Sequence, residues 1–500
     1  MSIKPIRKLV VVGGGTAGWM TAAALSKLLP PDCQIQLVES DEIGTIGVGE
    51  ATIPNIKNFN AALEIDEDEF LRATQGSFKL GIEFVNWGGL GDRYIHGFGR
   101  VGQELDSLAF HHYWLRLQAL GLGGDLGDYS INTVAPRQAK FMRARPDMAG
   151  SPLADIASAF HFDASLYARF LRGYAEKRGV VRHQGKVVEV LQREPDGHLT
   201  AVRLDDGRLV EGEFFIDCSG LHGLLIAKTL KVGFEDWSHW LPCDRAIAVP
   251  CESAGPLLPL TRSTAHSAGW QWRIPLQHRT GNGHVYSSRF MDAEEAEAIL
   301  LRNLDGKALA EPRHIKFQTG RRKASWVGNC VALGLAAGFL EPLESTSIHL
   351  IQTGLARLVT FFPHRGFEQA DIDEFNRQSQ DEVERIRDFI ILHYKATERS
   401  DSPFWDYCRT MAVPANLQRK MDLYRSNARL FREGGELFAE LSWLQVMQGQ
   451  RLRPSGYHPL AEMRPQDEVL AFMADVKAVI ERCVKVMPTH ANFIEANCAS

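Results

Sequence analysis

Gly13, Gly15 and Gly18 fall at the Gly-x-Gly-x-x-Gly spacing, after an apolar run from Leu9 to Val12 and before small and apolar residues at Met20, Ala23, Ala24 and Leu28. A strand, a glycine turn and a helix in that order can hold a pyrophosphate. Gly13 allows the tight turn, Gly15 lets the backbone approach the phosphates, and Gly18 lets helix and strand pack closely. The helix start at Thr16 and Ala17 adds free N–H groups and a favourable dipole. A second strand, Gln34 to Val38, ends at Glu39, 21 residues after Gly18, where an acid binds a ribose hydroxyl. These residues leave NAD and FAD both open.

Four further stretches carry chemistry. Residues 40–54 read as a glycine-rich loop, with Ala51 and its neighbours placed to lie along a bound cofactor. Lys79 stands in the apolar segment Phe78-Lys79-Leu80-Gly81; taken alone, such a lysine is a surface residue whose stem lies on apolar neighbours. Trp270-Gln271-Trp272-Arg273-Ile274-Pro275 puts two indoles on one face of a strand, so they either wall a cavity or pack a core. Glu341-Pro342-Leu343-Glu344-Ser345-Thr346-Ser347 leads into a helix with Ile348, Ile351, Leu355 and Leu358 on one stripe. Ser345 or Thr346 is expected to cap that helix. Thr346 and Ser347 are then placed to offer N–H groups to an anion.

The elements that position these residues follow from the pattern. Residues 154–177 read as helix. Lys186 to Gln192, His198 to Leu204 and Phe214 to Ile216 read as strands separated by Asp-Gly turns. Arg245 to Tyr286 reads as a second, mostly β layer. Beyond a soft boundary near 361–368 the chain reads as helices, with Val383, Ile386, Ile390 and His393 or Tyr394 on one apolar stripe.

At 500 residues and 45% hydrophobic content, the chain has ample core for a large two-part enzyme. A net charge of −5 gives no basic field for nucleic acid. The eight cysteines show no Cys-x-x-Cys or metal-ligand spacing, which suggests free thiols and no metal site. No signal peptide precedes the first strand and no apolar run reaches membrane-spanning length, so the expected location is the cytoplasm, without membrane attachment.

Together these residues resemble the flavin-dependent tryptophan halogenase family. Four features carry the likeness: Gly13-Gly14-Gly15-Thr16-Ala17-Gly18-Trp19, Phe78-Lys79-Leu80-Gly81, Trp270-x-Trp272-x-Ile274-Pro275, and Glu341-Pro342-Leu343-Glu344-Ser345-Thr346. The tryptophan motif separates these enzymes from flavin monooxygenases. The resemblance implies an α/β chain. Its FAD-binding, doubly wound fold of the flavin monooxygenase type would span 1–360, with a β substrate-side layer inserted at about 90–150 and 240–320. A helical C-terminal subdomain over 361–500 would cover the substrate site.

It also implies a mechanism. FADH2 from a separate NAD(P)H-dependent flavin reductase reacts with O2 to give a C4a-hydroperoxide, which chloride or bromide attacks to yield hypohalous acid. Lys79 holds that acid by hydrogen bond or as a haloamine. Glu344 stabilises the cationic ring, takes its proton or polarises the acid. FAD contacts fall to Gly13, Gly15, Thr16, Ala17, Gly18, Glu39, Ala51, Val187, Leu335 and Ile348, and halide contacts to Thr346 and Ser347. His96 and Phe98 line the pocket, while Trp270 and Trp272 bar the aromatic substrate from the flavin. The chain has one dinucleotide fingerprint, in keeping with flavin reduced elsewhere. A homodimer is compatible with this reading.

Two departures matter. The family's Ser-Thr-Gly is here Ser345-Thr346-Ser347, which bears on halide preference and on any backbone needing φ > 0. The segment that clamps the amino-acid backbone of free tryptophan has no clean match; Phe438 to Val446, with Trp443, is a loose substitute. The expected substrate is therefore an indole or another electron-rich aromatic in a more open pocket. An aromatic monooxygenase and a non-catalytic flavin-binding protein are the competing readings.

Overall fold

The strand Lys8–Val12 is β-branched and buried from Leu9 onward, so it takes a central place in a parallel sheet. The computed structural model describes residues 5–40, 49–364 and 366–499; positions 41–48 of the expected glycine-rich loop lie outside the described residues. Lys8–Val12 pairs in parallel with Gln34–Glu39 on one side and Phe214–Asp217 on the other. Val181–Gln184 and Cys330–Ala332 extend this sheet, and Trp326–Val327 closes it antiparallel. The expected meander is a separate three-stranded sheet of Val187–Gln192, Leu199–Leu204 and Leu209–Glu211.

The second layer is a seven-stranded sheet. In order it contains Arg313–Lys316, Arg245–Cys251, Thr280–Tyr286, Gly269–Pro275, Leu260–His266, Gly81–Val85 and Arg93–Gly97. Arg93–Gly97 is an edge strand. A small antiparallel sheet places Ala159–Asp163 between Gly49–Ala51 and Ser77–Lys79, next to the larger one.

Two expectations need correction. Residues 154–177 are not one helix. Ala159–Asp163 is drawn into strand pairing on both sides, and the helix Ala164–Glu176 begins only where Asp163 caps it by accepting from the Ser165 and Leu166 N–H groups at 2.9 and 3.1 Å. The segment 90–150 is not a β layer: it gives one strand, then the helices Phe110–Ala119 and Ile131–Arg137. Apolar residues spaced three and four apart, such as Phe110, Tyr113, Trp114 and Leu117, favour helix there.

The C-terminal part is helical from Ser347–Thr360 to His490–Asn497. Its longest element, Gln369–Lys395, has 27 residues. Near its start, Asn376 bonds the Trp326 strand in both directions at 2.9 Å. At mid-length Glu382 accepts from Thr353 and Arg357 of the helix Ser347–Thr360 at 2.9 and 2.8 Å. Its last turns are buried from Ile386 to Tyr394. No helix among the described residues is long and apolar enough to cross a membrane.

Candidate active site

The glycine turn is built as its spacing implies. Gly13 has φ +118°, and a Cβ there would lie 2.2 Å from the Cys218 carbonyl oxygen; one on Gly18 would lie 1.7 Å from the Gly13 carbonyl oxygen. A Cβ on Gly15 would meet no protein atom within 4 Å. Gly15 is therefore small for something the chain itself does not supply, which suits a pyrophosphate set against the start of helix Thr16–Leu28. Gly334 leans on Ala17 and Ile351, which brings Leu335 and Ile348 to the same end of the sheet as Thr16 and Ala17. Val187 lies farther out, half-buried against the cluster of Val10, Val12 and Val38. Glu39 ends its strand beside the turn, where its carboxylate accepts from the Trp19 indole at 3.2 Å and from Arg182. A ribose hydroxyl there would join an existing ion pair.

Lys79 is not a surface residue. It ends a short strand held from both sides: Ser77 donates to the Pro275 carbonyl at 2.6 Å, and the Phe78 N–H donates to His490 Nε2 at 3.0 Å. The lysine is 0% exposed. Its Nζ donates to the Thr52 carbonyl at 3.0 Å and to Ser345 Oγ at 2.7 Å, and stands 5.3 Å from the Phe98 ring centre. Thr52 follows Ala51, so the segment expected to lie along the cofactor also fixes the lysine. Burial lowers the Lys79 amine to about 7, against an opposing pull from the Glu344 carboxylate.

Glu344 comes from the other half of the chain, at the end of the short turn Pro342–Glu344, and is 1% exposed. Its carboxylate does not pair directly with Lys79. His96 Nδ1 faces both of its oxygens at 3.1 and 3.0 Å. His393 Nε2 lies 2.7 Å from Oε1, off the axis of a linear hydrogen bond. His393 Nδ1 already donates to the Phe389 carbonyl at 2.9 Å. Burial alone would raise the Glu344 carboxyl, but the charges and hydrogen bonds of the two histidines outweigh it and hold it at about 2. Sequence reasoning missed His393, which it placed on an apolar helical stripe. A titratable residue on a buried stripe was the available signal.

Thr346 occupies the N-cap position of the helix Ser347–Thr360, but its side chain makes no capping bond. The expected cap by Ser345 also fails, because Ser345 carries the positive φ, +59°, and turns its hydroxyl to Lys79. Ser347 is the first helical residue and its backbone is not left-handed. The concern raised by its replacing glycine therefore does not apply to φ. Among the described residues, no group takes the Thr346 or Ser347 N–H.

Trp270 and Trp272 are both buried, with ring centres 6.2 Å apart. Gly283, opposite Trp272, makes room for that ring: a Cβ would lie 2.0 Å from it. The Trp270 indole donates to Glu341 Oε2 at 2.9 Å, as does the Tyr394 hydroxyl at 2.5 Å. Glu341 is a second missed residue. It ties the tryptophan strand to the turn carrying Glu344, and burial raises its carboxyl to about 7 despite those two bonds. Around His96 lie Phe389 and Phe438, at 5.8 and 6.3 Å between ring centres, and Trp443 stands edge-on to Phe389 at 4.9 Å.

A dinucleotide-binding sheet joined to a buried lysine and glutamate beside an indole pair defines a flavin-dependent halogenase. The tryptophan halogenase family model matches residues 8–466, and the chain belongs to that family. Among relatives, tryptophan 7-halogenase RebH of Lentzea aerocolonigenes is 37% identical over 440 residues, 84% of this chain and 82% of its own. Among solved structures, the flavin-dependent halogenase Xcc4156 from Xanthomonas campestris superposes with a TM-score of 0.96 at 48% identity, covering 99% of both chains. BrvH, a flavin-dependent halogenase from Brevundimonas sp. BAL3, gives a TM-score of 0.94 at 46% identity over 98% of this chain and 99% of that one.

Proposed function

We propose that the chain halogenates an indole or similar electron-rich aromatic at the Lys79–Glu344 chamber. FAD in its reduced form, supplied by a separate reductase, provides the two electrons with which O2 and a halide ion give hypohalous acid and water. The glycine turn, Glu39, Ala51, Leu335 and Ile348 are its assigned contacts, with Val187 more distant. Thr346 and Ser347 offer their free N–H groups to the halide.

The observation that carries the reading is the bonding of Lys79. As a neutral amine it uses both N–H bonds on Thr52 and Ser345, which leaves its lone pair free toward an electrophilic halogen. As an ammonium it keeps one N–H to hold the acid by hydrogen bond. A group at about 7 has both forms available near neutral pH. Glu344, held at about 2, remains an anion. It therefore stabilises the cationic ring rather than serving as the main proton acceptor, and His96 and His393 keep it in place. Trp270, fixed by Glu341, stands with Trp272 as the partition between ring substrate and flavin.

The aromatic residues Phe98, Phe389, Phe438 and Trp443 favour an aromatic guest. The missing clamp favours an indole over free tryptophan. The test is turnover with FAD, a flavin reductase, NADH and chloride or bromide over an indole panel, scored by mass spectrometry. Halide-dependent mass gain on indoles is the expected result. NADH oxidation with oxygen insertion and no halide requirement would replace the reading with a monooxygenase. In mixed halides a bromide preference is expected, and clear chloride preference would reject that part.

A further inference from the structure

The edge strand Arg93–Gly97 faces a groove of about 570 Å³, within the range of ligand sites. Its pairing with Gly81–Val85 fixes which backbone groups face outward. Asn86 N–H donates to Asp92 and Phe98 N–H donates to Leu80, both at 2.9 Å. By the alternation of an antiparallel ladder, Tyr94 and His96 then bond inward, while Arg93, Ile95 and Gly97 point away from the sheet. Gln445 satisfies Gly97, accepting from its N–H at 3.0 Å and donating to its carbonyl at 3.2 Å, as a neighbouring strand would. Among the described residues, nothing takes the outward groups of Arg93 or Ile95. Both residues line the groove.

Asp92 and Trp114 belong to its wall as well. Arg453, also in the wall, bonds Gln448 through its carbonyl at 3.1 Å and its side chain at 3.0 Å, and among the described residues it pairs with no carboxylate. An outward N–H and C=O pair on alternate residues matches the backbone of an extended chain. A neutral small aromatic would leave these groups unused.

We infer that this groove binds an extended peptide as an added strand, and that the ring to be halogenated is carried on such a peptide. The second half rests on the proposed function above. Gln445 ends the added strand beside Ile95, so a side chain on the Tyr94 and His96 face lies diagonal to His96. Such neighbours are about 7–8 Å apart, within reach of an aromatic side chain. Arg453 favours an acidic residue on the same peptide.

The experiment uses the whole enzyme with FAD, reductase, NADH and bromide. The probes are free indole, the acetylated and amidated peptide Glu-Val-Trp-Val-Thr, and two versions of it N-methylated at alternate residues. Expected are a kcat/KM for the peptide at least tenfold above indole, a loss of at least tenfold for one methylated version only, and slowed hydrogen exchange over 93–97 on peptide binding. Brominated indole with no gain for the peptide and unchanged exchange overturns the inference and leaves the halogenase reading intact. Slowed exchange with no bromination of any probe supports the docking half and overturns the reading on which the second half rests.

Discussion

Replacing Lys79 by methionine keeps length and shape and removes the charge. The ordinary amine value of 10.5 falls to about 7 in the folded chain. The folded state therefore binds fewer protons than the unfolded state between those values, and stability rises with pH across that window. Below about pH 7 both states are protonated and the full penalty of the buried charge is present. At about 1.4 kcal/mol per pH unit, the gap is worth roughly 4–5 kcal/mol. The substitution also leaves the Thr52 carbonyl and Ser345 hydroxyl without their donor, which costs about 1–3 kcal/mol. Lys79→Met should thus be more stable than the parent at pH 6 by roughly 2 kcal/mol, and should lose that advantage by about pH 10. Urea denaturation of both proteins at the two pH values reads this difference directly, and groups common to both cancel. A variant less stable at pH 6, or a difference that does not change with pH, would refute the argument that Lys79 is held against its charge. The same variant should be inactive.

Gly15→Ala should fold normally, since its Cβ meets no protein atom, yet weaken FAD at least tenfold in a fluorescence titration; Gly18→Ala, whose Cβ would overlap a carbonyl, should instead lower the melting temperature or abolish soluble protein. Glu344→Gln removes the anion but keeps the shape. Its kcat for indole bromination should fall at least 100-fold, about 3 kcal/mol, with an unchanged circular dichroism spectrum, and a loss under tenfold would dismiss the electrostatic role. If the neutral Lys79 amine captures the halogen, kcat should rise with pH through about 7; capture by the ammonium predicts a fall across the same range, so the sign of the profile separates the two modes.

The dinucleotide half was legible because its constraint is local. Gly13 and Gly18 are demanded by backbone atoms within a few residues or on the adjoining strand, and such demands show as residue type at fixed spacing. The chamber was legible only as a likeness. Lys79 and Glu344 are 265 positions apart, and nothing in the short strand Ser77–Lys79 announces burial. That depends on Thr52, Ser345 and Phe98 closing around it. The histidines that hold Glu344 were harder still, because His393 satisfies the same helical period as the apolar residues around it. The β layer at 90–150 came from the likeness and not from the residues, and the three-and-four spacing of Phe110, Tyr113, Trp114 and Leu117 is helical. The cap misread at Ser345 and Thr346 shows a local preference overruled by a distant partner, since the hydroxyl that would cap the helix bonds a lysine instead.

The helix Gln369–Lys395 begins on the nucleotide sheet at Asn376 and ends at the histidine touching Glu344. Seventeen residues of α-helix separate those anchors, a strut of about 25 Å. Its middle is bolted to the helix that starts at Ser347. One helix thus links the nucleotide sheet to the side chains around Glu344, and a second helix braces it along the way.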